Sequence, residues 1–181
     1  QPSTTANITA KMITVTGITA TNRVYDASTS ATALLVKGSA ALSGVETNDN
    51  VTLDHAAATA TFANKNVADS KAITIAGITI AGTDAANYSL TQPSTTANIT
   101  AKSLTVTGIT ATNRVYDASA SATALLVKAS AALSDVETND NVSLNHSSAT
   151  ATFANKNIGN GKIITIAGIT IAGTDAANYS L

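Results

Sequence analysis

The stretch ITIAGITIAG, residues 73–82, carries the fold in its spacing. Before Gly77 the large apolar residues fall at odd positions, Ile73 and Ile75; after it they fall at even ones, Ile78 and Ile80. Alternation at period two marks a strand with one buried face. A slip of one residue at a glycine is what a bulge or sharp bend produces. In a sandwich such a bend lets one strand pass from one sheet to the other. The same grammar governs Met12–Thr16, where the phase changes at Gly17, and both glycines return later as Gly108 and Gly168.

That return is part of a repeat covering the whole chain. Gln1 matches Gln92, Tyr25 matches Tyr116, His55 matches His146 and Tyr88 matches Tyr179, always at an offset of 91 without gaps. Residues 1–90 and 92–181 share 76 of 90 positions. The period exceeds that of solenoid units and is near the size of a small sandwich domain. The reading is therefore all-β: two tandem small Ig-like β-sandwich domains in an elongated array, residues 1–91 and 92–181. A β-solenoid is the alternative, and the lack of a shorter period argues against it.

Composition narrows the function. Ten basic and eleven acidic residues are scattered without a basic stripe, so neither nucleic acid nor an acidic tail is expected. Cysteine is absent, which excludes disulfides and thiolate metal sites. With 36 Ala and 31 Thr, no Trp and 3% aromatics, the core must be thin and built from Ile, Val, Leu and Ala. No apolar run approaches the length that spans a bilayer, so membrane insertion is not expected. The start Gln1-Pro2-Ser3 has neither an initiator Met nor a signal peptide, as expected of a piece of something longer.

Differences between the copies locate further elements. Ala68-Asp69-Ser70 becomes Gly159-Asn160-Gly161, and both suit a tight turn, which predicts a hairpin there. Ile13 to Leu104 and Val67 to Ile158 keep apolar character and read as core positions. Helix competes with strand only over Ala31–Leu42, where the spacing is roughly helical; strand or loop is preferred. Val51–Asp54 and Ala58–Phe62 read as short strands flanking polar loops.

Candidate chemistry is sparse. Tyr25-Asp26, with Arg23 two residues earlier, has the residue types of a small catalytic site. On a strand, however, Arg23 and Tyr25 share a face, so the arginine is expected to flank the tyrosine ring, with Asp26 opening a turn. The same holds for Tyr116-Asp117. Glu46 and Asp49, with their copies Glu137 and Asp140, offer oxygen ligands for calcium but lack the spacing of a calcium loop. His55 and His146 are single and have no partner residues for zinc or a nucleophile. Asp84 and Asp175 read as turn residues. No cofactor and no enzymatic activity are expected, and a Lys–Asn isopeptide crosslink would reveal itself as lost ammonia in the intact mass.

The combination of Val24-Tyr25-Asp26, Phe62-Ala63-Asn64-Lys65-Asn66-Val67 and Ala86-Asn87-Tyr88-Ser89-Leu90, each repeated 91 residues on, resembles the YDG-type repeats of large bacterial surface and secreted proteins. These repeats, like the related MBG type, occur in tandem in filamentous adhesins. The resemblance covers essentially the whole chain, twice. It implies a spacer or stalk of a long extracellular adhesin on the bacterial cell surface, serving attachment or biofilm formation. Its partners would be neighbouring repeats, with any glycan or host surface bound through other domains. A carbohydrate-binding module is the alternative. The chain departs from the family at Ala27 and Ala118, where Gly is usual, so an ordinary backbone conformation is expected after Asp26. In such repeats ANYSLTQPSTTANITAK closes a unit. On that phase one complete unit runs 12–102, residues 103–181 lack a closing strand, and residues 1–11 are a loose strand that would invite exchange between chains.

Overall fold

Alternating apolar residues make short strands throughout a computed structural model that describes residues 1–181. There is no α-helix; four single 3₁₀ turns are the only helical elements. The chain divides into two compact units, Gln1–Thr100 and Ala101–Leu181.

The first unit opens with β1 (Lys11–Thr16), β2 (Thr19–Ala20) and β3 (Arg23–Val24). Next come β4 (Leu35–Val36), β5 (Ala41–Ser43), β6 (Thr52–Asp54) and β7 (Thr59–Phe62). It ends with β8 (Ala68–Ala76), β9 (Thr79–Ala81), β10 (Tyr88–Thr91) and β11 (Ser94–Thr100). One sheet has the order β10-β1-β5 and another β3-β11-β8-β7, while β2 pairs with β4 and β6 with β9. The β1–β10 and β3–β11 pairs are parallel; the others are antiparallel.

The phase slips are sheet changes. β1 lies between β10 and β5, but β2, just beyond Gly17, pairs with β4. Likewise β8 lies between β7 and β11, whereas β9, beyond Gly77, pairs with β6. Gly17 and Gly77 both have φ of 77°, a left-handed conformation that side chains resist. Space reinforces the requirement. A Cβ at Gly17 would lie 1.9 Å from the Ser39 carbonyl oxygen, and one at Gly77 would lie 2.7 Å from that of Ala57. Gly108 and Gly168 repeat the arrangement at φ 75° and 78°.

The alternation places Ile13, Phe62, Ile73, Ile75 and Ile99 in the core of the first unit, each at most 2% exposed. Burying such side chains supplies roughly 1.5–3 kcal/mol each before entropy is counted. Leu104 is buried like Ile13, as the substitution pattern implied. Val67 is only half-buried and Ile158 is 88% exposed, so that second pair is not core. Over Ala31–Leu42 the chain makes a 3₁₀ turn, Thr32–Leu34, and then β4 and the start of β5, not an α-helix.

The tight turn expected at Ala68–Ser70 does not form there. The hairpin between β7 and β8 turns at residues 63–67, and Ala68–Ser70 belongs to β8 itself. There β8 pairs with β11 across a bulge, with Ser70 at φ 49° and its N–H donating to Asn98 Oδ1 at 2.8 Å. A partner strand thus overrides local turn propensity. In the second unit residues 154–163 form one long loop between the strands Thr150–Phe153 and Ile164–Ala167, with Gly161 at φ 61°. The division between units falls after Thr100, not after residue 91, because Ser94–Thr100 pairs with β8 and β3.

Candidate functional site

Arg23 is the organiser of the VYD segment. β3 presents its guanidinium inward, where its carbon lies 5.0 Å from the centre of the Phe62 ring. Nη1 donates to Ser30 O at 2.7 Å, Nη2 donates to Ser28 O, and Asp26 accepts at 3.1–3.2 Å. Asp26 Oδ1 also accepts the Ser28 N–H at 3.0 Å, closing a turn through its own side chain. Ala27, between them, sits at φ 58°, and Ala118 at φ 61°. The ordinary conformation expected after Asp26 is therefore not adopted. The Arg23 and Asp26 contacts on either side hold the chain in the left-handed region despite the Cβ. Nor does Arg23 cover Tyr25: that ring faces Lys65, whose Nζ lies 5.9 Å from its centre.

Tyr25 is 2% exposed and its N–H donates to Thr100 O at 2.9 Å, so it is a packing residue beneath β11. The arginine clasp survives intact in the second unit. Arg114 bonds Ser121 O at 2.6 Å, Ser119 O and Asp117 at 3.0 Å, and it lies 5.2 Å from the Phe153 ring centre. Tyr116, by contrast, is 54% exposed.

The acidic loop is occupied by a second clasp. Tyr88 Oη accepts the Glu46 N–H at 3.0 Å and donates to Asp49 Oδ2 at 2.6 Å. Glu46 Oε1 accepts from Lys11 Nζ at 2.5 Å. In the second unit Tyr179, Glu137, Asp140 and Lys102 repeat this at 2.6–2.9 Å. The hydrogen bond to Asp49 raises the Tyr88 pKa, the bond from Lys11 lowers that of Glu46, and Lys11 is raised by Glu46 in return. The candidate calcium ligands are thus engaged by a tyrosine and a lysine from the same unit. No group of three or more His, Asp or Glu side chains converges in a way that would hold a metal ion.

The remaining candidates are structural in their contacts. Asp84 Oδ2 accepts the Asn50 N–H at 2.8 Å and caps the bend after β9. His55 uses its carbonyl, which accepts from Lys37 Nζ at 2.9 Å. Lys71 and Lys162 donate to Asn64 Oδ1 and Asn155 Oδ1 at 2.5 and 2.7 Å. Gln92 grips the backbone beside the Gly77 bend, accepting from Ile78 N–H and donating to Ile78 O at 3.2 and 2.8 Å.

The cavity beside Tyr116 was not foreseen from the candidate residues. In the second unit an open cavity of about 710 Å3 is lined by Arg114, Tyr116, Phe153, Ile158 and Ile164, among others. Around it Val115, Ile158 and Ile163 are 82–89% exposed. The signal was present in the sequence: QPSTTANITAK occurs at 1–11 and 92–102, and only the second occurrence forms β11.

No helix is long and apolar enough to cross a membrane. No curated protein and no solved structure matches the chain significantly. The YDG domain family model matches it twice, over residues 9–97 and 100–181. Two copies of one strand-built module, each carrying its Val-Tyr-Asp clasp, account for nearly every residue, and the chain belongs to the YDG domain family.

Proposed function

We propose that this chain is a pair of structural spacer repeats from a long bacterial extracellular adhesin, each an Ig-like β-sandwich that adds length to a stalk. The observation carrying this reading is that the polar constellations of each unit are spent internally. Arg23 and Asp26 hold a turn, while Lys11, Glu46, Asp49 and Tyr88 hold a loop to a strand end. A sandwich is supported by the chain changing sheets at the glycines after β1 and β8, with Ile13 from one sheet and Ile73 and Ile99 from another all buried. A stalk needs such rigid modules and no reactive group of its own. Binding to a host, matrix or glycan surface would belong to other parts of the protein, outside the cell.

Solution scattering tests the stalk: an extended, stiff particle is expected, and a compact globule would count against it. A carbohydrate-binding module is the competing reading, since Tyr116 is exposed beside a polar cavity. A glycan array separates the two, because a spacer leaves every spot at background. No turnover of any substrate is expected.

A further inference from the structure

We infer that the first unit is a load-bearing module whose first and last strands sit in two parallel pairs that tension shears, each pair locked by one of the two clasps. This deepens the spacer reading, on which it rests, by giving the clasps a mechanical task. Only two strand pairs in the unit are parallel, β1–β10 and β3–β11. Each joins a strand near the start of the unit to one near its end. Tension entering at Ala10 draws β1 towards its own N-terminus. Tension leaving at Ala101 draws β11, and β10 behind it, towards their C-termini. Partners that run parallel then slide in opposite senses along their own axes. Their evenly spaced hydrogen bonds share the load and must fail together. Partners peeled apart from one end would lose those bonds singly.

The tyrosine clasp lies at the entry pair. In register, Lys11 faces Tyr88, Met12 faces Ser89, Ile13 faces Leu90 and Thr14 faces Thr91. Glu46 ties the first of these couples together. Its carboxylate accepts from Lys11 Nζ at 2.5 Å, and its N–H donates to Tyr88 Oη at 3.0 Å.

The arginine clasp lies at the exit pair, where Arg23 faces Ile99 and Val24 faces Thr100. Tyr25 N–H donates to Thr100 O at 2.9 Å, and Asn98 N–H donates to Asn22 Oδ1 at 2.8 Å. Thr100 Oγ1 adds a bond to Arg23 O at 3.3 Å. The Arg23 side chain is held by Asp26, Ser28 O and Ser30 O, so β3 is anchored to its own turn while β11 is drawn. Ile99 is 1% exposed, so sliding also drags an apolar side chain towards water. Ala101 alone separates this exit from the next entry. There Lys102 and Ser103 pair in parallel with Tyr179 and Ser180, and Lys102 Nζ donates to Glu137 Oε1 at 2.6 Å.

Single-molecule pulling on the full chain tests the inference, and the absence of cysteine lets handles be placed at will. Ala10→Cys with Ala101→Cys loads both pairs along their strands. Ala10→Cys with Ala86→Cys pulls β1 and β10 apart from the end where both begin. The first geometry is expected to need a several-fold higher force to unfold the unit. Forced unfolding follows the barrier and not the equilibrium stability, so one fold can show both values. The double variant Lys11→Met, Asn22→Ala takes one lock from each pair. It should lower the force in the first geometry whichever pair yields first. Its urea midpoint should move little, because neither side chain is buried. Equal forces in the two geometries would overturn the shear clamps. An unchanged force in the double variant would overturn the part given to the clasps. Scattering decides the spacer reading separately, so an extended particle whose first unit yields equally easily in both geometries sinks the clamps alone.

Discussion

Tyr25 is 2% exposed and Tyr116, its copy in an identical nine-residue context, is 54% exposed. The two units differ in the same sense wherever β11 would lie. Phe62 and Ile73 are buried, while Phe153 and Ile164 are half-buried. Residues 68–72 are strand and residues 159–163 are loop. Other equivalent positions agree: Ala31 and Ala122 are fully buried, and Tyr88 and Tyr179 are 8% and 6% exposed. The contrast separates what a module makes alone from what its closing strand adds. The arginine clasp, the tyrosine clasp and the glycine bends form in both units, whereas the buried tyrosine and the long β8 require the closing strand.

Substitution in the repeated segment breaks this comparison most sharply. Ile99→Ala should cost the first unit about 2–5 kcal/mol, the range for truncating a buried isoleucine. In the monomeric chain, Ile8→Ala at the identical sequence position should stay within about 0.5 kcal/mol, as for exposed sites generally. Urea unfolding followed by residue-resolved hydrogen exchange distinguishes the units. Equal effects would mean that β11 does not close the first unit.

Next in size are the glycines. Gly77→Ala forces a side chain into φ 77° and against the Ala57 carbonyl, so a loss of at least about 2 kcal/mol is expected. Gly161→Ala meets no neighbour within 4 Å and should cost only the left-handed conformation, about 1 kcal/mol. Thermal melting of the two variants compares a bend within a closed face with a loop beside an open one.

Ala27→Gly and Ala118→Gly act in the opposite direction. Relief of the left-handed alanine outweighs the added chain entropy of glycine, for a gain of up to about 1 kcal/mol in each unit. Because the clasp is common to both, the two gains should match. A gain confined to the first unit would tie the Ala27 conformation to β11.

The smallest effect concerns pH. Glu46 titrates lower in the folded chain, so its contribution is complete above the ordinary glutamate pKa and is lost as pH falls through the lowered value. Lys11 titrates higher when folded, so its contribution is complete below the ordinary lysine pKa and is lost as pH rises through the raised value. Lys11→Met removes the pair. The gap between parent and variant urea midpoints should be widest near neutrality and narrow at both extremes. The side chains are 47% and 65% exposed, so solvent keeps the effect small.

Much of the fold was legible because strand periodicity is local. The alternation at Ile73–Ile75 and its slip at Gly77 state directly which residues share a face and where the faces exchange. Asp26 as a turn opener was legible for the same reason, since its carboxylate bonds a backbone group two residues on. The partner of Arg23 was not. Sharing a strand face with Tyr25 says nothing of Phe62, which arrives from 39 positions along the chain. The Ala27 conformation escaped because local preference opposes it and only contacts on both sides enforce it.

By itself the sequence determined the two-copy organisation, the all-β class and the glycine bends. Each of these follows from residue type and spacing along one stretch of chain. Tertiary structure alone decided whether a stretch becomes strand or loop at the closing face, and whether a tyrosine is buried or exposed there. The reason is that a strand is completed by hydrogen bonds from a neighbour, and identical residues fold differently according to whether that neighbour arrives.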